Sequence, residues 1–157
     1  MDWNEGSRSY WISPVRAQGD RSVEEILHEL LAARGIFALG ARAPARLRIV
    51  PGDHICFYSA GIGVVGDARV TSKPQMKGGN LGAGLQGFPW VFEVEGVRLY
   101  LDTPIALDAR MRSQLDALRG RENRSWSWLV HTTTELSEHD FELVTHKSGI
   151  GRQLGPN

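Results

Sequence analysis

The sequence has little of what crosslinks a small protein or draws it to a charged partner. Cysteine occurs once, as Cys56 within an apolar run, so there is no disulfide framework, CxxC pair or zinc-finger spacing. Basic and acidic residues balance at 18 each, so any nucleic-acid contact must use a local patch. No apolar run approaches the ~20 residues of a membrane span, and the N-terminus lacks a signal-peptide pattern. These absences favour a soluble, cytoplasmic protein.

What remains is ordinary globular composition. The chain has 157 residues, of which 41% are hydrophobic and 23% charged, which is enough to bury one core without metal or disulfides. We predict a single domain over residues 10–147, with a flexible lead at 1–9 and a flexible tail at 148–157.

Three helix starts can be predicted from capping residues. Ser22 and Glu25 form a capping box before an apolar stripe, and Gly35 can take the left-handed position after the last turn, which predicts a helix over 22–34. Asp108 begins a second helix. Ser137 caps a third helix over 138–145.

Several segments have the composition of β-strands. "YWISPV" at 10–15 indicates a strand near an edge, and "DHICFYSAGIGVVGDARV" indicates a hairpin turned by Gly61 and Gly63. Ile55 and Phe57 share one face of its first strand, and both faces are expected to be buried. "WVFEVEGVRLYL" and "WSWLVHTTT" are further strand candidates. Five or six strands interrupted by helices predict an α+β domain with a curved sheet or a small open barrel.

The motifs that would indicate catalysis or cofactor binding lack the structural context or the spacing that such functions require. "GAGLQG" at 82–87 matches GxGxxG, but it neither follows a strand nor opens a helix. His54 and Cys56 stand too far apart on one strand for a nucleophile and base. The spacing of the histidines fits no compact metal site, and Ser13, Lys73 and Glu93 form no convincing triad. We therefore predict no catalytic residues, no metal and no cofactor.

Aromatic and basic residues are the more informative groups. The aromatic residues at strand ends or next to turns are Trp11, Phe57, Tyr58, Trp90, Trp126 and Trp128. Such rings can stack a flat ligand while small side chains such as Ser13 and Ser59 bind its edge, although each ring taken alone is more often a core residue. Between residues 31 and 50 the arginines Arg34, Arg42, Arg46 and Arg48 occur without an acidic residue, which fits phosphate contacts or a solvated arm equally well.

The ordered set of segments "YWISP", "PGDHICFYSAGIGVVGDARV", "FPWVFEVEGVRLYL" and "HTTTELSEHDFELV" resembles the EVE domain of the PUA-like superfamily, over roughly residues 10–147. The resemblance implies a PUA-like pseudo-barrel with flanking helices, related to YTH domains, and a pocket for a flipped base. On the matching positions, it places Trp11, Ile12, Ser13, Phe57, Tyr58, Ser59 and Trp90 in that pocket. Weaker rim candidates are Trp126, Trp128 and Asn80, and the expected phosphate contacts are Arg42, Arg46 and Arg48.

The function expected from this resemblance is that of a reader, a binding module without catalysis. Its ligand would be nucleic acid carrying a modified base, such as methylated or hydroxymethylated cytosine, in DNA rather than RNA, with a separately encoded nuclease as a possible partner and no membrane. The first departure is "WISPVR", which lacks the lysine that many members carry at the first strand. The second is a glycine-rich insertion that is longer than expected. The alternatives are a PUA-like hydrolase or RNA-processing enzyme, and a protein-interaction adaptor.

Overall fold

The computed structural model describes residues 8–77, 87–120 and 125–145. The predicted lead and tail fall almost entirely outside these ranges, as do Asn80 and most of the GxGxxG match. Among the described residues, no helix is long and apolar enough to cross a membrane.

Seven strands in the described part of the chain form one mixed sheet. They are β1 (Tyr10–Val15), β2 (Ile36–Leu39), β3 (His54–Ser59), β4 (Gly63–Val70), β5 (Gln75–Met76), β6 (Trp90–Leu99) and β7 (Thr134–Leu136). Six of them follow the order β2-β6-β4-β3-β1-β7, and the two-residue β5 pairs with β6. β1 and β3 run parallel while the other pairs are antiparallel. The six strands of this order form a half-barrel, which confirms the predicted α+β pseudo-barrel.

The helices begin where the capping residues predict. The Ser22 side chain accepts a hydrogen bond from the Glu25 backbone N–H, and the Glu25 side chain accepts one from the Ser22 backbone N–H. The helix α1 (Val23–Leu27) therefore starts at a complete capping box. A π-helical segment (His28–Ala33) continues it to Gly35, whose φ of +65° ends the helix. Asp108 caps α2 (Ala109–Arg112) and Ser137 caps α3 (Glu138–Val144).

The central strand β3 is buried on both faces, as its sequence predicts. Ile55 and Phe57 pack into one apolar cluster with α1, β2 and β6, whereas Cys56 and Tyr58 pack into a second cluster with α3 and the 3₁₀ turns. The alternation of side chains along a strand produces this division. The sheet therefore lies between two cores, and its strand ends are the places where the chain can form an open site.

The segment "WSWLVHTTT" is not one strand, contrary to the prediction. Residues Ser127–Val130 form a 3₁₀ turn, and strand pairing with β1 begins only at Thr134. Trp126 and Leu129 are three residues apart, so this turn brings both onto the second core cluster. Packing of these two side chains overrides the strand propensity of the segment.

Glycine at position 63 is required by a close approach of backbone. Its φ is +132°, and an added Cβ would lie 2.3 Å from the carbonyl oxygen of Ile105. Val64 exchanges backbone hydrogen bonds with the same Ile105. The second glycine of the hairpin thus lets the segment after β6 pack against the start of β4.

Candidate functional site

A cleft of about 580 Å³ opens at the carboxyl end of β1. Three segments build it: the end of β1 with the loop that follows, the end of β2 with the loop leading to the 3₁₀ turn at Pro44–Leu47, and the segment before β7. Phe88 closes one side. The lining residues are Ser13, Pro14, Arg16, Ala17, Gln18, Ala38, Leu39, Gly40, Arg42, Ala43, Pro44, Phe88, His131, Thr132 and Thr133. A concave site of this size is typical of small-ligand recognition.

Two hydroxyl groups meet in the wall of the cleft. Ser13 Oγ and Thr133 Oγ1 lie 2.7 Å apart, and both residues are buried. Only one hydrogen can lie between the two oxygens, so the other hydroxyl hydrogen and the remaining lone pairs stay available. This pair can donate to and accept from the edge of a polar, planar ligand.

The rim of the cleft is cationic although the whole chain is neutral. Arg16 and Arg42 line it as exposed side chains, and none of the described lining residues is acidic. Arg16 Nη2 approaches the carbonyl oxygen of His131 at 3.4 Å. The sequence predicted Arg42 as a phosphate contact, and the structure places it at this rim. A local field of this kind favours an anionic ligand despite the zero net charge.

An apolar recess adjoins the cleft. It holds about 40 Å³ and shares five lining residues with the cleft, including Pro14, Ala38 and Phe88. Its remaining wall contains Ile26, Leu30, Val15 and Phe37. The recess has room for a small group, and its mostly apolar wall favours an alkyl group over a polar one.

Three of the residues predicted for the pocket lie in the hydrophobic core. Trp11 is 2% exposed, Ile12 is 1% exposed and Phe57 is fully buried. Trp11 Nε1 donates to Asp53 Oδ2 at 3.0 Å, which gives the indole a structural partner. None of these three side chains lines the cleft, so the site proposed below does not use them.

None of the next three predicted residues lines the cleft: Tyr58 and Ser59 were predicted in the pocket and Trp126 at its rim. Tyr58 and Ser59 pair in register with Pro14 and Val15, so the two strand ends do meet, but Tyr58 points into the second core cluster. Its ring meets Trp126 edge to face at 6.4 Å. The Arg112 guanidinium lies over the Trp126 ring, 4.7 Å from the ring centroid.

Three further predicted residues do not line the cleft: Trp90, Arg46 and Arg48. Arg46 stands over the half-buried Trp90 at 5.7 Å and donates to the carbonyl oxygen of Ala43 at 3.0 Å. Arg48 stands over Trp11 at 5.2 Å and pairs with Glu135. Both guanidinium groups therefore have intramolecular partners, whereas Arg42 projects from the loop that lines the cleft.

The sequence interpretation did not select Arg16, Phe88, His131 or Thr133 for the site. Phe88 stands two residues before Trp90 in "FPW", and the larger ring was preferred. Thr133 was assigned to a strand, whereas its partner Ser13 was predicted as a pocket residue and lines the cleft. A pairing across 120 residues of chain has no local sequence signal.

Asp116, His139 and Asp140 place one potential metal ligand each within 4.8 Å of one another. Asp140 is fully buried and accepts the backbone N–H groups of Asp116 and Ala117 at 2.7 and 3.0 Å. Its oxygens are thus engaged in joining α3 to the 3₁₀ turn at Asp116–Leu118. The cluster is accounted for by this structural role.

Comparisons with known proteins identify the fold. No family model and no curated protein matches the chain. Among solved structures, the protein Rpa0253 from Rhodopseudomonas palustris superposes with a TM-score of 0.54 at 16% identity, over 90% of this chain and 94% of the other. A protein from Pseudomonas putida gives 0.53 at 20% identity, over 86% and 96%.

The YTH domain of the Zygosaccharomyces rouxii MRB1 protein, solved in complex with N6-methyladenosine RNA, gives a TM-score of 0.56 at 14% identity, over 90% of this chain and 87% of the other. These likenesses show the fold: the chain has the half-barrel fold of the YTH domain, which the sequence resemblance implied.

Proposed function

We propose that the protein is a nucleic-acid reader that seats one flipped, modified base in the cleft at the end of β1. The observation that carries the proposal is the composition of that cleft, in which two exposed arginines, a buried pair of hydroxyls and an adjoining apolar recess occur together. Phosphate, base edge and alkyl substituent would each find a matching group. The YTH-like fold supports the same class of ligand.

The energetics of flipping are compatible with this cleft. Extruding a base from a stack costs a few kcal/mol. Stacking on one aromatic ring returns ~1–3 kcal/mol, and we assign this role to Phe88. A hydrogen bond to the Ser13 and Thr133 hydroxyls adds about 1 kcal/mol. Contacts of Arg16 and Arg42 with phosphate then provide affinity that falls with added salt.

The recess leads us to propose an alkylated base. A methyl or hydroxymethyl group on cytosine, or a methyl group on the N6 atom of adenine, is small enough to enter it, whereas the unmodified base leaves it empty. We propose modified cytosine in DNA as the first ligand to test, following the sequence resemblance, and N6-methyladenine as the second. A separately encoded nuclease is the partner that the resemblance implies.

The test is a fluorescence-anisotropy titration with matched oligonucleotides. DNA and RNA, single- and double-stranded, would carry cytosine, 5-methylcytosine, 5-hydroxymethylcytosine, adenine or N6-methyladenine at one position. We expect at least a tenfold preference for one modified base over its unmodified form, equivalent to ~1.4 kcal/mol. Weak binding that is equal for every oligonucleotide would overturn the proposal.

Two variants separate the groups of the cleft. Arg42→Ala should weaken binding to all oligonucleotides alike and lessen the salt dependence by about one unit of slope, because one phosphate contact is lost. Arg110→Ala, an exposed arginine on α2 that does not line the cleft, is the matched control. Thr133→Val should instead reduce discrimination between bases and leave the slope unchanged. An unchanged slope in Arg42→Ala would remove this arginine from the interface.

A further inference from the structure

Leu47 is the most exposed of the large apolar residues in the described part of the chain, with 71% of its surface open to solvent. One exposed leucine is ordinary on a protein surface. The position of Leu47 is less ordinary, because it ends the 3₁₀ turn at Pro44–Leu47, directly beside the cleft.

The geometry of the turn indicates that Leu47 lies close to the cleft. Side chains three residues apart eclipse one another in a 3₁₀ helix, so Leu47 follows Pro44 on the same side, about 6 Å further along the axis. Pro44 itself lines the cleft. An apolar side chain therefore projects next to the opening where the flipped base would enter.

The turn that carries Leu47 is held on several sides. Ala45 is buried in the core, and Arg46 lies over Trp90 while donating to the carbonyl oxygen of Ala43. Arg48, on the other side of Leu47, lies over Trp11 and pairs with Glu135. Leu47 therefore belongs to a turn that is fixed by contacts on several sides, and an arginine precedes and follows it in the sequence.

We propose that Leu47 is a wedge that enters the base stack of a duplex and occupies the space left by the base seated in the cleft. The inference rests on the proposed reader function and extends it to double-stranded nucleic acid. An exposed aliphatic side chain near a rim that carries Arg16 and Arg42 is complementary to a duplex, because these two arginines can contact phosphates while the aliphatic group meets the apolar faces of neighbouring bases. Leucine is one of the side chains that proteins insert between bases to unstack a base step.

The test compares duplex with single strand. Leu47→Ala, Leu47→Met and wild type would be titrated with one DNA sequence, carrying 5-methylcytosine or N6-methyladenine, as a single strand and as a duplex. A 2-aminopurine next to the modified base reports unstacking by its fluorescence. Ile62→Ala is the matched control, since Ile62 is 53% exposed at the β3–β4 turn and does not line the cleft.

The wedge predicts that Leu47→Ala weakens duplex binding by about tenfold and abolishes the 2-aminopurine signal, while single-strand binding changes less than about twofold. Leu47→Met should retain both, and Ile62→Ala should change neither. Equal losses on both substrates, or no loss on the duplex, would overturn the wedge and leave the reader function in place. If the wild-type protein bound single strands and not the duplex, the wedge would also be overturned and the reader function would stand. No binding to any oligonucleotide would overturn the reader function itself, and the wedge with it.

Discussion

Replacing the buried carboxylate of Asp53 should destabilise the protein more than any exposed substitution. Asp53 is fully buried and accepts three hydrogen bonds: from the Ser9 backbone N–H and Trp11 Nε1 at 3.0 Å, and from the Val50 backbone N–H at 3.1 Å. The three donors precede or belong to two neighbouring strands, β1 and β3. One side chain therefore joins the starts of both strands.

The size of the effect follows from these three bonds. A hydrogen bond to a charged group contributes about 1.5–3 kcal/mol, so three bonds set an upper range of roughly 5–9 kcal/mol. Removing the buried charge also removes its desolvation penalty, which offsets part of the loss. We expect Asp53→Ala to lower the free energy of unfolding by about 3–5 kcal/mol. Asp53→Asn keeps an acceptor oxygen and should lose about half as much.

Urea unfolding monitored by tryptophan fluorescence measures this loss. With a slope of ~2 kcal/mol/M, a loss of 4 kcal/mol moves the midpoint by about 2 M. Asp20→Ala is the control, because Asp20 is exposed in the loop before α1 and should change stability by less than ~0.5 kcal/mol. A loss below about 1 kcal/mol in Asp53→Ala would refute the argument that this carboxylate joins the two strands.

Two further predictions concern the hairpin. Gly63→Ala should destabilise the fold by more than ~3 kcal/mol, because its Cβ would collide with the Ile105 carbonyl. Gly61→Ala is the control: its φ is +79° but no atom lies within 4 Å of the added Cβ, so it should cost only about 1 kcal/mol. Equal shifts in the melting temperature of the two variants would contradict this reasoning. Burial, and secondarily the charge of Asp67, raise the pKa of the Cys56 thiol well above its ordinary value. The stabilisation that this provides is complete below the unfolded-state pKa and is lost as pH rises toward the folded-state pKa, at up to ~1.4 kcal/mol per pH unit. Urea titrations at rising pH should show that slope in wild type and not in Cys56→Ala.

The local features of the fold could be predicted from the sequence. The capping box of Ser22 and Glu25, the helix end at Gly35 and the alternation of Ile55 with Cys56 all depend on residues within a few positions of each other. The segment before β7 was assigned wrongly, because the packing of Trp126 and Leu129 against distant residues determines its turn.

The candidate site could be predicted only in part. The cleft is lined by Ser13, predicted as a small polar residue at a strand end, and by Arg42, predicted as an arginine of a basic loop. The large aromatic rings could not be assigned to core or cleft from spacing alone, since an indole serves equally well in either place. Trp11 is committed to the core by a hydrogen bond to Asp53, 42 residues away.

The sequence by itself determined most of the strands and the caps of the helices, because short-range hydrogen bonds and side-chain periodicity depend on neighbouring residues. Its resemblance to EVE domains implied the half-barrel fold. Only the tertiary structure decided which residues form the cleft. Ser13 meets Thr133 through the pairing of β1 with β7, and the 3₁₀ turn that contributes Pro44 to the cleft is held by the contact of Arg46 with Trp90. Contacts between residues far apart in the chain are set by how the sheet closes, and no local pattern encodes them.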